Sequence, residues 1–196
     1  SDTFWQRLRS GAEQRFAGFS HLMPYRVQEI LLVASLYDAY TLEEGGHLTE
    51  LLLSEYRELN LSFAPNITTA SSGREALDLL ATRRFDMVIT MARLGNLRAG
   101  DLAAKIKSKH PDLPVYCLVL NPRELHVVQE HRPGVLDRIF HWSGDVRLLL
   151  AVIKSWEDQR NLAHDTRYGD VRVVLLIEDS VRFYSLYLPR ISTEVV

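Results

Sequence analysis

Strand-like runs of apolar residues recur at 27–35, 63–70, 85–91, 114–120 and 135–142, and each is bounded by polar or turn residues. Four of them are nearly continuous in apolar character, which suits strands buried on both faces of a parallel sheet. Pro65 places the start of the second run at an edge or outside the ladder, because proline has no amide hydrogen to donate. Between the runs the spacing changes to three and four residues, which predicts helices at 48–59, 74–84, 101–110, 122–131 and 146–163. Ser71 and Ser72 are candidate N-caps for the second of these. Five strands alternating with five helices predict right-handed crossovers and a doubly wound five-stranded parallel sheet.

Both ends fall outside that repeat. Phe4, Trp5, Leu8, Ala12 and Phe16 make one apolar stripe, so residues 1–24 are expected to form a helical lead-in that Pro24 ends. The alternating body spans 25–163. Residues 164–170 are polar and read as a linker. A further apolar run, 171–180, predicts a strand, and 181–196 predicts a helix.

The chain has 196 residues, a number too large for one small domain and small for two. Apolar residues make up 46% and charged residues 24%, close to globular averages, which argues against disorder. A net charge of −2 gives no global basic field for nucleic acid. No aromatic-interleaved basic stretch or recognition-helix pattern adds one. No apolar stretch approaches a membrane span. Cys117 is the single cysteine, so no internal disulfide can form, and the expected setting is the reducing cytoplasm. Its place in an apolar run makes it a small buried hydrophobe.

Three stretches resemble the receiver domain of two-component response regulators. The first is TTASSGREALDLL (68–80) with FDMVIT (85–90). The second is RAGDLAAKIKSKHPDLPV (98–115). The third is VVLLIEDS (173–180), which looks like the opening strand of another receiver with its acidic pair. The resemblance implies a flavodoxin-like fold, here with an N-terminal helical extension. It also makes 171–196 the first strand and helix of an incomplete second receiver. A weaker resemblance, carried by 23–65 and the Tyr37-Asp38-Ala39 stretch, is to the leading tandem-receiver segment of phosphoenolpyruvate synthase-like bacterial proteins.

Receivers move a phosphoryl group onto an aspartate that ends their third strand. An acidic pair ending the first strand holds Mg²⁺, and a hydroxyl and a lysine end strands four and five. Carried onto this chain, the acceptor position is Met91 and the acidic pair is Ala34 and Ser35. The hydroxyl position is Val119, and the lysine position is His141 or Trp142. A thioether cannot accept a phosphoryl group, and neither Ala34 nor Ser35 is a carboxylate. Asp86 lies at the start of its strand, at the wrong end of the sheet. Asp38 and Glu43-Glu44 follow the first strand and could reach the crevice. Glu178 and Asp179 are the one acidic pair that matches the metal-binding pattern, in the incomplete second receiver.

The expectation is therefore a pseudo-receiver: no catalytic residue, no bound cofactor, and Mg²⁺ only if a second receiver were complete. Such a domain acts as a protein-interaction and dimerisation module of bacterial two-component signalling, with a partner protein or a second copy docking on 122–163. The alternatives are a regulatory segment of a phosphoenolpyruvate synthase-like enzyme, or a ligand sensor. In the sensor reading, Ser35, Asp38, Met91, Arg93, Asn121 and His141 or Trp142 line the crevice at the strand carboxyl ends. No histidine or cysteine cluster suggests a metal site. Arg83-Arg84 and Arg93/Arg98 read most simply as solvated faces, and Trp142 and Trp156 as core or interface residues.

Overall fold

The computed structural model describes residues 22–35, 37–38, 42, 48–59, 64–95, 97–131, 133–169, 171 and 173–195. The chain divides into two compact units, and the larger comprises Val27–Val152 and Ile177–Val196. The expected lead-in helix lies almost wholly outside the described residues, and 22–24 at its end are not helical.

The larger unit is built on five parallel strands: β1 (Glu29–Val33), β2 (Asn66–Ala70), β3 (Met87–Met91), β6 (Val115–Val119) and β7 (Arg138–His141). Their order is β2-β1-β3-β6-β7, with β2 and β7 at the edges. This is the doubly wound parallel sheet that the alternation predicts. Every residue of β3 and β6 is buried, as expected for central strands covered on both faces. β2 starts after Pro65 and lies at an edge, where a proline beside the ladder costs nothing.

The helices are α1 (Leu48–Glu58), α2 (Gly73–Thr82), α3 (Ala99–Lys109), α4 (Pro122–Glu130), α5 (Arg147–Tyr168) and α6 (Val181–Val195). Ser72 caps α2 by accepting from Glu75 N at 3.3 Å. The Glu75 carboxylate returns to Ser71, at 2.8 Å from its N–H and 2.6 Å from its hydroxyl. Those two bonds hold the Glu75 carboxyl below its ordinary pKa. Asn121 caps α4, accepting from Glu124 N at 3.0 Å, while Glu124 accepts from Leu120 N at 2.8 Å. Pro122 sits in the first turn, where its missing N–H is no loss.

Two aspartates set the amino edge of the sheet. Asp86 Oδ2 accepts from the backbone of Gln28 at 2.8 Å and Glu29 at 3.0 Å. Asp137 accepts from Val115 N at 2.7 Å and pairs with Lys107 at 2.7 Å. Each carboxylate precedes its own strand and anchors the start of a neighbour, so Asp86 is structural and far from the carboxyl ends.

Three expectations need correction. The loop after β3 is not plain: β4 (Arg93–Leu94) and β5 (Leu97–Arg98) form an antiparallel hairpin. Gly95, at φ +67°, supplies the left-handed turn residue. Residues 164–168 are not linker but the last turns of α5, which runs on until Gly169. Polar residues do not by themselves end a helix, and Thr166 even bonds back to Leu162 O at 2.6 Å. Finally, the described residues of 171–180 are in no sheet. A strand exists only through its ladder, and the outer edge of β7 is already taken by α6. Tyr184 packs on Phe140 with ring centroids 6.1 Å apart, and Arg138 lies over the Tyr184 ring at 5.0 Å.

The smaller unit combines the described residues of 22–26 with Ile153–Leu176. Asn161, buried, closes a two-way bridge: it accepts from Tyr25 N at 2.9 Å and donates to Tyr25 O at 2.8 Å. Met23 N–H donates to Asp165 at 3.0 Å, and Trp156 Nε1 donates to the Tyr25 hydroxyl at 3.3 Å. Lys154 and Glu157 form a buried pair at 2.7 Å. Trp156 thus packs within the smaller unit.

Candidate functional site

The carboxyl ends of the strands bring the sequence-predicted positions to one edge of the sheet. Ala34 follows β1 and is 1% exposed, Met91 ends β3 at 2%, and Val119 ends β6 at 0%. None of these three side chains offers an oxygen to a metal or a phosphoryl group. Ser35 does, but its hydroxyl donates to Asp38 Oδ2 at 2.7 Å and accepts from Asp38 N at 3.1 Å. The second bond has the form of a helix N-cap, a side-chain oxygen accepting the N–H three residues on. The spacing Ser-x-x-Asp was readable in the sequence as a cap, and it ties up the carboxylate expected to reach the crevice. Glu43-Glu44 lie outside the described residues.

Of the two candidates for the fifth-strand position, His141 is in ladder register with Val119. Trp142 follows it, 6% exposed, with its N–H donating to Val119 O at 2.8 Å. Cys117 is fully buried in β6, and burial pushes its thiol pKa far up, so it is no nucleophile. Glu178 accepts from Ser180 N at 2.9 Å, at the start of α6. Among the described residues, no group of three or more His, Cys, Asp or Glu side chains is placed to hold a metal ion. No described helix is long and apolar enough to cross a membrane.

Beside this edge, the hairpin β4–β5 and helix α4 enclose a cavity of about 310 Å³. Arg93 and Asn121, expected in the crevice, line it; Ser35, Asp38, Met91, His141 and Trp142 do not. Arg98, Arg123 and His131 complete its polar wall. Arg93 and Arg98 are both exposed, as a solvated face would be, and both border this cavity. Arg83 is a structural tie instead, paired with Glu29 at 3.2 Å and lying 5.2 Å from the Phe85 ring centroid. No local pattern signals the cavity, because Arg123 is brought to the hairpin only by the order of the strands.

No protein-family model matches the chain, and no curated protein matches it. Solved structures do. A CheY-like response regulator receiver domain protein from Methanospirillum hungatei matches with a TM-score of 0.52 at 15% identity, over 70% of this chain and 98% of its own. A CheY-like receiver domain from Methylobacillus flagellatus matches with a TM-score of 0.50 at 18% identity, over 66% and 98%. The response regulator DrrB of Thermotoga maritima matches with a TM-score of 0.50 at 17% identity, over 69% and 54%.

The larger unit has the fold of a response-regulator receiver. At these identities the likeness is one of fold. Ala34, Met91, Val119 and His141, with Ser35 and Trp142 next to them in sequence, stand at or just past the carboxyl ends of β1, β3, β6 and β7.

Proposed function

We infer that this chain is a pseudo-receiver, a receiver-like domain that does not take a phosphoryl group and serves two-component signalling as an interaction module. One observation carries the reading: the edge where phosphoryl chemistry would sit is closed by buried Ala34, Met91 and Val119. Phosphoryl transfer needs oxygen ligands for a hard metal ion and fixed donors for the developing charge. An apolar, water-excluding edge supplies neither.

Without a chemical switch, the domain is left with its surfaces. Phe183, Leu186 and Tyr187 lie at i, i+3 and i+4 on α6 and are 47%, 45% and 40% exposed. Phe183 and Tyr187 stack with centroids 6.1 Å apart. This stripe, on the helix that packs against β7, is the face for a second copy of the chain.

Mass spectrometry after incubation with acetyl phosphate and Mg²⁺ tests the chemistry: an unchanged mass is expected. A stoichiometric phosphoryl adduct lost on changing one carboxylate overturns the reading. Sedimentation of the full chain tests the surface. A dimer that Leu186→Glu dissociates is expected, and a monomer at all concentrations removes the dimer.

A further inference from the structure

The hairpin beside the silent edge holds its charges in an unfavourable way. Its register sets Arg93 directly opposite Arg98. Like charges facing each other across an antiparallel pair destabilise it. Arg123 sits in the first turn of α4, where the positive end of the helix dipole disfavours a cation. All three guanidinium groups line the same cavity. Among the described residues none of the three makes an ion pair with a carboxylate. The one acidic residue on the wall, Glu124, already accepts from the Leu120 amide.

Three cations against one committed carboxylate leave the cavity strongly positive. Arg98 is held in place: its Nη1 lies 3.5 Å from His131 Nδ1, and Asp101 Oδ2 stands 3.1 Å from the other ring nitrogen. Apart from Asn121, the rest of the wall is apolar. Ala92, Ala99 and Val128 are buried, and Val127 stands at the lip, 38% exposed. Arrangements that break local rules mark functional sites, where a ligand supplies the compensation. The volume suits a small molecule, at the lower end of the roughly 300–1,000 Å³ range of ligand pockets.

We propose that the cavity between β4–β5 and α4 binds a small phosphomonoester of about mononucleotide size. Arg93, Arg98 and Arg123 hold its phosphate near the amino end of α4. Val127, Val128 and Ala92 pack against its aromatic or aliphatic portion. Guanidinium groups bind phosphate oxygens through charge-assisted, paired hydrogen bonds. A bound dianion would cancel both the Arg93–Arg98 repulsion and the dipole conflict at Arg123. The proposal rests on the cavity and not on the lost phosphoryl chemistry, so either can fail alone.

The test is calorimetric titration of the full chain at low salt with inorganic phosphate, AMP, UMP and 4-nitrophenyl phosphate, and with adenosine as the uncharged control. Saturable binding of at least one phosphomonoester is expected, with none for adenosine. Arg98→Gln and Arg123→Gln should each weaken it about tenfold or more, and added salt should weaken it further. Arg74→Gln, on α2, should leave it unchanged. Thermal unfolding without ligand adds a second reading: Arg98→Gln should melt no lower than the parent, because it removes a like-charge contact. Failure of every phosphomonoester to bind at millimolar concentration overturns the proposal. So does binding that both cavity variants leave intact.

Discussion

The backbone N–H of His141 donates to the hydroxyl of Ser185 at 2.8 Å, across 44 residues of sequence. His141 ends the edge strand β7, whose outer amide would otherwise face solvent or another strand. Ser185 is buried and passes its own proton to Val181 O at 2.7 Å. Helix α6 therefore shields the open edge of the sheet with a side chain rather than a strand, one of the ways in which proteins protect exposed edges.

Ser185→Ala removes the acceptor and leaves the half-buried His141 amide without that partner. The expected cost is about 1 kcal/mol, the usual net worth of one hydrogen bond. Urea denaturation checks the stability. Faster hydrogen exchange at His141 than in the parent would locate the loss at this edge. An unchanged exchange rate would mean that α6 does not protect β7 in solution.

Gly73 opens α2 against the hairpin, and a Cβ there would run into the Leu97 side chain. Glycine to alanine in a helix normally gains about 0.5–1 kcal/mol. Here Gly73→Ala should fall short of that gain, because the terminal methyl of Leu97 must move aside. Leu97→Ala in the same chain should recover the shortfall, with a coupling of about 0.5–3 kcal/mol in a double-mutant cycle. Additive effects would show that the hairpin is not packed on α2.

Asp145 accepts from Arg147 at three donors: the backbone N at 3.0 Å, Nε at 2.9 Å and Nη2 at 2.8 Å. The Arg147 side chain, ahead of every other influence, holds the Asp145 carboxyl below its ordinary pKa. A carboxylate lowered on folding stabilises the protein above its unfolded pKa, near 3.9. That stabilisation is lost as pH falls through the folded value. Asp145→Ala should therefore cost about 1 kcal/mol at pH 7, the usual worth of a helix cap. The gap from the parent should close as the pH falls through the folded value. Denaturation of both proteins at pH 7 and at successively lower pH checks it, and a gap independent of pH would assign the effect to packing.

The sheet was legible because a parallel strand, buried on both faces, must be apolar throughout, and helices must return at their own period. LLV at 31–33, MVITM at 87–91 and VYCLV at 115–119 carry that pattern without help from neighbours. The placement of Ala34, Met91 and Val119 at the carboxyl ends of their strands was legible too, since position along a strand fixes which end of the sheet a residue occupies. The Ser35–Asp38 cap is present in the sequence only as a spacing, which a crevice reading of Asp38 overlooks.

The remainder depended on partners distant in sequence. β4 and β5 are two residues each, too short for any period, and exist by pairing with one another. Apolar 171–180 looks like a strand in isolation, but a strand is a relation between chains of hydrogen bonds. Only the packing of Tyr184 and Ser185 on β7 shows that this edge is already taken. Arg98 and Arg123 stand 25 residues apart in a chain that reads as unremarkably charged. The strand order and the hairpin bring them to one cavity. Local hydrophobic pattern thus determined the scaffold, because each element buries its own face. Tertiary structure alone decided the site, because electrostatic and hydrogen-bond partners are set by spatial distance and not by sequence separation.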